Sequence, residues 1–258
     1  MNLVKRPVAL VTGGTSGIGL GCALSLARDY DLALSFAQNE IKAQKALHYL
    51  KDRYPEAEVE IFQRPLFRKT DCDDLFDDVT QSFQREPLVL VNCAGRIRDG
   101  LFLTSDFEDH VNLINEHLIV SMALTQICLK SMYRKRFGRV INMSSISANY
   151  AKRGQTSYAA AKGAIEAFTR TLALEVAHRG ITVNAIAPGL IETPMTEKLI
   201  ESIKTKHKTL HSRIPVGRAG TPEELGEFVA FLCSANGAYI TGATHIFDGG
   251  RSLGDPAS

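Results

Sequence analysis

The chain has 258 residues, is 45% hydrophobic and carries a net charge of +2. That length buries a sizeable core, and that charge makes neither nucleic acid nor an anionic membrane the expected partner. No apolar run reaches the ~18 residues of a transmembrane helix, and the opening text MNLVKRPVALVTGG runs straight into a strand, so no membrane span or signal peptide is expected and the chain reads as cytoplasmic. The five cysteines (Cys22, Cys72, Cys93, Cys128 and Cys233) are odd in number and form no C-x-x-C pair, which favours free thiols over disulfides or a metal site.

In chain order, the apolar run 8–11 reads as a buried parallel strand, and glycines follow it at once. Apolar residues at Ile18, Leu20, Ala23, Leu24 and Ala27 give 17–28 a helical period. A strand at 32–36, a helix at 42–51, a strand at 59–62 and a helix at 73–83 follow. The next expected elements are a strand at 88–91, one long helix over 107–133 and a strand at 139–143. A helix at 157–177, a strand at 182–186, a helix at 222–232 and a strand at 244–247 complete the series. Strands alternating with helices at this spacing predict right-handed β-α-β units. The expected fold is α/β, a single Rossmann-type domain over 1–258 with a doubly wound parallel sheet of about seven strands. Two segments leave the alternation. One is the basic stretch 63–70 with Pro65; the other is 188–215, which follows a strand's carboxyl end and reads as a lid over the ligand crevice.

Thr12-Gly13-Gly14-Thr15-Ser16-Gly17-Ile18-Gly19 links the first strand to the first helix. Glycines there permit a tight turn and bring backbone N–H groups up to a pyrophosphate, and the helix dipole favours the negative charge. A Gly-rich turn alone could be structural; the strand–loop–helix context points to dinucleotide binding. After the second strand, Ser35-Phe36-Ala37-Gln38-Asn39 carries no acid to bind ribose hydroxyls, which favours NADP over NAD without excluding NAD(H). Lys42 and Lys45 read as a solvated helix face rather than phosphate ligands.

Further along, Ser145 ends an apolar strand, while Tyr158 and Lys162 stand four residues apart on one helix face. A hydroxyl, a phenol and an amine together suit proton transfer to or from an oxygen. Tyrosine titrates near ~10, and a nearby ammonium is expected to lower that value.

With these motifs in place, the chain resembles the short-chain dehydrogenase/reductase family over essentially its full length. The resemblance rests on T-G-x-x-x-G-x-G at Thr12 to Gly19, N-x-A-G at Asn92 to Gly95, Ser145, Y-x-x-x-K at Tyr158 to Lys162, and Pro188-Gly189 with Thr193. Within the family the text is most similar to bacterial 3-oxoacyl-[acyl-carrier-protein] reductases, through Asn184 to Thr196, Ile214-Pro215-Val216-Gly217-Arg218, Tyr239-Ile240-Thr241-Gly242 and Asp248-Gly249-Gly250. That subgroup uses NADPH in fatty acid biosynthesis and forms homotetramers. The resemblance implies that Tyr158 is the acid, that Lys162 tunes it and holds the nicotinamide ribose, and that Ser145 orients the substrate carbonyl. It implies cofactor contacts from Gly13, Thr15, Ser16, Gly17, Ile18 and Gly19, from Gln38 and Leu66, and from Cys93, Ala94 and Gly95. Contacts from Tyr158, Lys162, Pro188, Gly189, Ile191 and Thr193 complete the set.

Four positions depart from the family pattern. The family's catalytic asparagine on the long helix falls on His117, which is either a participant in a proton relay or a neutral, packed replacement. Asn115, two places away, should face elsewhere. The adenine-binding Asp-Val is Pro65-Leu66, so only the Leu66 N–H survives. Cys93 stands where many relatives have asparagine, and Ser16 where NADPH-using relatives have arginine.

The basic cluster Arg134-Lys135-Arg136 with Arg139 closes the long helix, and Arg179 follows the Tyr158 helix. By resemblance Lys135, Arg136 and Arg179 contact an acidic acyl carrier protein; cations at helix C-termini also have a purely structural use. The leading reading is therefore NADPH-dependent reduction of a 3-oxoacyl thioester, on carrier protein or CoA. The alternatives are another alcohol–ketone pair (sugar, steroid or polyketide) and a low-turnover nucleotide-binding structural subunit.

Overall fold

The computed structural model describes residues 5–207, 210 and 213–254. The first four residues of the opening text and residues 208, 209, 211 and 212 of the expected lid lie outside them. Seven parallel strands form one sheet in the order β3-β2-β1-β4-β5-β6-β7. They are β1 (Val8–Val11), β2 (Asp31–Phe36), β3 (Val59–Gln63), β4 (Val89–Asn92), β5 (Gly138–Met143), β6 (Ile181–Pro188) and β7 (Thr244–Phe247). Helices cover both faces: α1 (Gly17–Leu26), α2 (Glu40–Arg53), α3 (Lys69–Phe83), α4 (Phe107–Ile114), α5 (Val120–Lys135), α6 (Thr156–Val176), α7 (Glu197–His207) and α8 (Pro222–Cys233).

Because both faces are covered, the central strands are buried at every position rather than every second one, and most of those positions are apolar. Successive residues of one strand feed opposite cores. Ala9, Val11, Val89, Val91 and Ile141 pack with α1 and α8. Val8, Leu10, Leu90, Val140 and Val183 pack with α3 and α5. The register Ala9↔Val89, Leu10↔Leu90 keeps each face consistent across β1 and β4.

On the first face, α1 and α8 approach through glycine. A Cβ on Gly21 would lie 2.1 Å from the Pro222 carbonyl oxygen, and one on Gly226 would lie 2.1 Å from that of Gly21. Thr221 and Glu224 start α8 with reciprocal caps, Glu224 N–H to Thr221 Oγ1 at 3.2 Å and Thr221 N–H to Glu224 Oε2 at 2.9 Å.

Three expectations are corrected. The long helix is not continuous: a π-helical turn over Asn115–Ile119 separates α4 from α5, with the Val120 N–H reaching back to the Asn115 carbonyl. One residue more than an α-turn needs is accommodated there, and 3.6-residue periodicity does not reveal it. The segment 63–70 is less irregular than expected, since Gln63 closes β3 and α3 begins at Lys69. The segment 188–215 does contain regular structure, helix α7. The flanking Leu190, Leu210, Ile214 and Ala219 join Ile200 and Ile203 of α7 in a small core of their own, separate from the two sheet cores. Among the described residues no helix is long and apolar enough to cross a membrane.

Candidate active site

The chain reverses its direction of sheet growth between β1 and β4, and a crevice opens there at the strands' carboxyl ends. The loop after β1 forms one wall. Gly13 and Gly17 take φ of +63° and +52°, which side chains disfavour, and a Cβ on Gly19 would lie 2.3 Å from the Gly13 carbonyl oxygen. Ser16 is the N-cap of α1 and its side chain makes no capping hydrogen bond, so among the described residues it leaves the first N–H groups of that helix free to meet a ligand. This is a backbone cradle with a helix dipole behind it, and it fits a pyrophosphate.

Thr12 joins this wall to the next. Its Oγ1 accepts from the N–H groups of Cys93 and Ala94, both at 2.9 Å, so the loops after β1 and β4 are tied by one hydroxyl. Sequence reading passed over this role of Thr12. Ala94 lies against Gly13, and Thr193, from the segment after β6, lays its methyl where a Cβ on Gly17 would sit 3.3 Å away. Pro188 ends β6 opposite Phe247, the Gly189 N–H donates to the Phe247 carbonyl, and Ile191 bridges to Gly220. Thr15 lies buried on the cradle loop, and Ile18 lies half-buried in the first turn of α1. Gln38 is exposed past β2, and Leu66 is half-buried past β3. The segments after β1, β2, β3, β4 and β6 that sequence reading singled out thus end at the same edge of the sheet.

The polar trio faces this crevice. Ser145 follows β5 in extended backbone and caps a 3-10 turn, its Oγ accepting from the Ser147 N–H at 3.2 Å. Tyr158 lies in the first turn of α6 and Lys162 one turn on, both buried, and the Lys162 amine stands 5.5 Å from the phenol ring centre. Burial raises the phenol's pKa to about 12, outweighing the lowering effect of the neighbouring Ser145 hydroxyl. The expected lowering by Lys162 is not what this arrangement gives: the amine donates to the Met143 carbonyl at 2.6 Å, and its own pKa falls to about 8 through burial.

His117 sits on the π turn, 3% exposed, edge-on to Tyr158 with ring centres 5.3 Å apart. Its Nε2 donates to the Arg96 carbonyl at 2.8 Å, and among the described residues Nδ1 has no partner. A Cβ on Gly95 would lie 2.1 Å from the ring, so glycine at that position is what admits the imidazole. The main-chain carbonyl of His117 accepts from Ser121 Oγ at 2.7 Å. Asn115 faces away, its side-chain amide donating to the Phe67 carbonyl.

Burial, with the nearby Lys162 charge adding to it, lowers the His117 pKa to about 3. The unfolded chain, titrating near ~6.5, binds more protons between those values, so this group's contribution is intact above ~6.5 and is lost as pH falls toward 3. Between pH 7 and 5 that loss is about 2 kcal/mol. Urea melts at the two pH values should show a smaller drop for His117→Asn than for the wild type; equal drops would mean the ring is protonated more easily than its burial implies.

Below the trio lies a polar layer of which the sequence marks only Asn92, the first residue of N-x-A-G. Asn92 Nδ2 donates to Asn142 Oδ1 at 2.8 Å and to Thr125 Oγ1 at 3.1 Å, and Asn142 Nδ2 donates to Thr169 Oγ1 at 2.9 Å. At the mouth, Asp99 accepts from Lys152 and Gln155 at 2.9 and 2.8 Å, beside a small cavity that Tyr158, His110 and Ser157 help line. Among the described residues no His/Cys/Asp/Glu cluster could hold a metal ion.

The members of the basic cluster differ in their surroundings. Arg139 is 4% exposed and donates to the Gly138 and Gly180 carbonyls, so it is unavailable to a partner; a strand position at β5 buried it. Arg134 is paired with Glu86 at 2.7 Å. Lys135 and Arg136 are exposed, and Arg179 lies 4.1 Å over the Tyr133 ring with Arg136 reaching the neighbouring His178 carbonyl at 3.5 Å.

A family model described as Enoyl-(Acyl carrier protein) reductase matches residues 13–252. The chain is similar to the 3-oxoacyl-[acyl-carrier-protein] reductase FabG of Pseudomonas aeruginosa, with 38% identity over 97% of this chain and 99% of that one. It is also similar to the (3R)-3-hydroxyacyl-CoA dehydrogenase of Rattus norvegicus, with 35% identity over 96% of each. Among solved structures, the acetoin dehydrogenase YohF of Salmonella typhimurium superposes with a TM-score of 0.87 over 98% of both chains, at 29% identity.

Proposed function

The chain belongs to the short-chain dehydrogenase/reductase family and is an NAD(P)-dependent oxidoreductase, and from that premise we propose that it reduces 3-oxoacyl thioesters to 3-hydroxyacyl thioesters with NADPH. The observation that carries this reading is the convergence of Ser145, Tyr158 and Lys162 on the crevice that the glycine cradle opens. Similarity to relatives named for carrier-bound and CoA-bound acyl substrates supports the thioester class.

When bound, the cofactor supplies a hydride to the carbonyl carbon. The residues of this chain manage the oxygen. Tyr158 gives its phenolic proton to the carbonyl oxygen, and a phenol held near 12 stays protonated until it is called on. The Ser145 hydroxyl donates a hydrogen bond to the same oxygen as charge builds on it. Lys162 keeps one donor on Met143 and turns its remaining N–H groups toward the cofactor ribose and the phenolate that Tyr158 becomes. His117 acts as a strap between the π turn and the Arg96 loop, because its Nε2–H is committed to the Arg96 carbonyl and burial keeps the ring neutral. The lid proposed for 188–215 is supported by the separate small core that its described residues build after β6.

The NADPH preference rests on the end of β2, where Gln38 and Asn39 replace an acid and Asn39 is used to cap α2, its side chain accepting from the Lys42 N–H at 2.9 Å. The expected result is a higher kcat/KM with NADPH than with NADH; a clear NADH preference would overturn it. Ser16 in place of a cation makes that preference modest.

Lys135, Arg136 and Arg179 form the docking patch for an acidic carrier protein. Arg136→Glu with Arg179→Glu should raise KM for acyl-carrier substrate, leave a CoA analogue almost unaffected, and lose its effect as salt rises, since exposed charges are screened beyond ~8–10 Å. Equal losses on both substrates would make the arginines structural; no loss on either would favour the small-substrate reading. The enzyme works in the cytoplasm as a homotetramer: Phe107 and Val111 on α4, Ile119 and Met122 beside them, and Leu174 on α6 are exposed apolar residues that second copies of the chain would cover.

A further inference from the structure

Glu166 is a buried carboxylate that the chemistry above does not use. It lies on α6, one turn past Lys162 and two past Tyr158, and is 6% exposed. No ion pair to it forms among the described residues. Both of its oxygens are engaged by neutral groups. Oε1 accepts from Ser144 Oγ at 2.8 Å, and Oε2 accepts from Asn149 Nδ2 at 3.0 Å. Ser144 Oγ also lies 3.2 Å from the Lys162 carbonyl oxygen, so the same hydroxyl touches the turn of α6 that carries the amine.

The two partners of Glu166 bracket Ser145. Ser144 precedes it directly, one residue past β5, and Asn149 closes the 3-10 turn Ile146–Ala148 that Ser145 caps. One carboxylate therefore grips both ends of the segment that presents the Ser145 hydroxyl, and it does so from the helix that presents Tyr158 and Lys162. We propose that Glu166 is a positioning residue for Ser145, holding the Ser144–Asn149 segment in register with α6 so that the hydroxyl and the phenol meet at one point. The inference rests on the role given above to Ser145. Effective catalysis needs such groups placed to a fraction of an ångström, and a shift of about 1 Å costs on the order of 100-fold.

Hydrogen-bond bookkeeping separates the conservative variant from the disruptive one. In Glu166→Gln the amide oxygen still accepts from Asn149, while its N–H donates to Ser144 Oγ, whose proton turns to the Lys162 carbonyl. Glu166→Leu removes both grips and keeps the volume. Purified Glu166→Leu is expected to lose about 10–100-fold in kcat with cofactor affinity, read by fluorescence titration, within about threefold of wild type. Glu166→Gln should retain kcat within about threefold. In a Ser145→Ala background, Glu166→Leu should cost little more, because the hydroxyl it positions is already gone.

Full additivity of the Leu substitution in that background, or an unchanged kcat for Glu166→Leu alone, would overturn the proposal. A silent Ser145→Ala would instead sink the role of Ser145 and leave the fault there. Should Glu166→Leu fail to fold, Asn149→Ala removes one grip at an exposed residue, and it must give the same non-additivity with Ser145→Ala on a smaller scale.

Discussion

Tyr158→Phe is expected to lower kcat by about 10²–10⁴-fold, the usual contribution of a positioned general acid, while cofactor affinity and thermal stability stay close to wild type. The substitution deletes one oxygen and nothing else. The ring keeps its contacts with Leu113 and Ala161 and its edge-on meeting with the His117 imidazole at 5.3 Å between centres. The crevice behind it keeps the glycine cradle, the Thr12 tie and the Lys162 amine on Met143. What goes is the proton that the reduced carbonyl oxygen must receive. Steady-state kinetics with NADPH and acetoacetyl-CoA, paired with cofactor titration, make the check. A kcat within about threefold of wild type would remove Tyr158 from the acid role.

The largest expected effect on stability is at the contact of α1 with α8. A Cβ on Gly226 would stand 2.1 Å from the Gly21 carbonyl oxygen and 2.9 Å from Ser25 Oγ. The first neighbour is backbone and has no rotamer to retreat into, so Gly226→Ala must push the helices apart. Overpacking of this kind costs about 1–3 kcal/mol, which in a chain of this size lowers Tm by about 2–12 °C. The glycine cradle is continuous with α1, so nucleotide affinity should fall with it. Gly163 is the control: it lies on α6 next to Lys162, and a Cβ there meets nothing within 4 Å. Gly163→Ala should raise stability by about 0.5–1 kcal/mol through helix propensity alone. Differential scanning calorimetry on both variants decides the matter, and a Gly226→Ala protein that melts with the wild type would contradict the close approach.

The sheet was legible because its central parallel strands are short, largely apolar runs between glycines and helical periods: 8–11 matches β1 to the residue, and 244–247 matches the half-exposed edge strand β7. The trio was legible because its spacing places Tyr158 and Lys162 on one helix face beside a strand end. What escaped depends on contacts between distant segments. Nothing local marks Thr12 as the tie between two loops, since its partners Cys93 and Ala94 lie about 80 residues on. Glu166 shares the helix face of Tyr158 and Lys162, a period the sequence does display, but its partners Ser144 and Asn149 come from another element. The π turn is an extra residue in a helix whose apolar pattern reads through it, and α7 is short, amphipathic and preceded by Pro194, signals that read as loop. The pKa of Tyr158 went the other way because proximity to a cation was weighed without the cost of burial.

The pairing of α1 with α8 also has a consequence in time. The first helix to be synthesised finds its backbone partner roughly 200 residues later, since Gly21 packs against Pro222 and Gly226. At the ~5–20 residues per second of translation, that wait is about 10–40 s. Throughout it the nascent chain carries Cys22, Ala23, Leu26 and Ala27 on a helix whose cover is still unmade. Chaperone demand should therefore concentrate on this amino-terminal third, and a pause in translation before α8 would lengthen the exposure more than one placed after it.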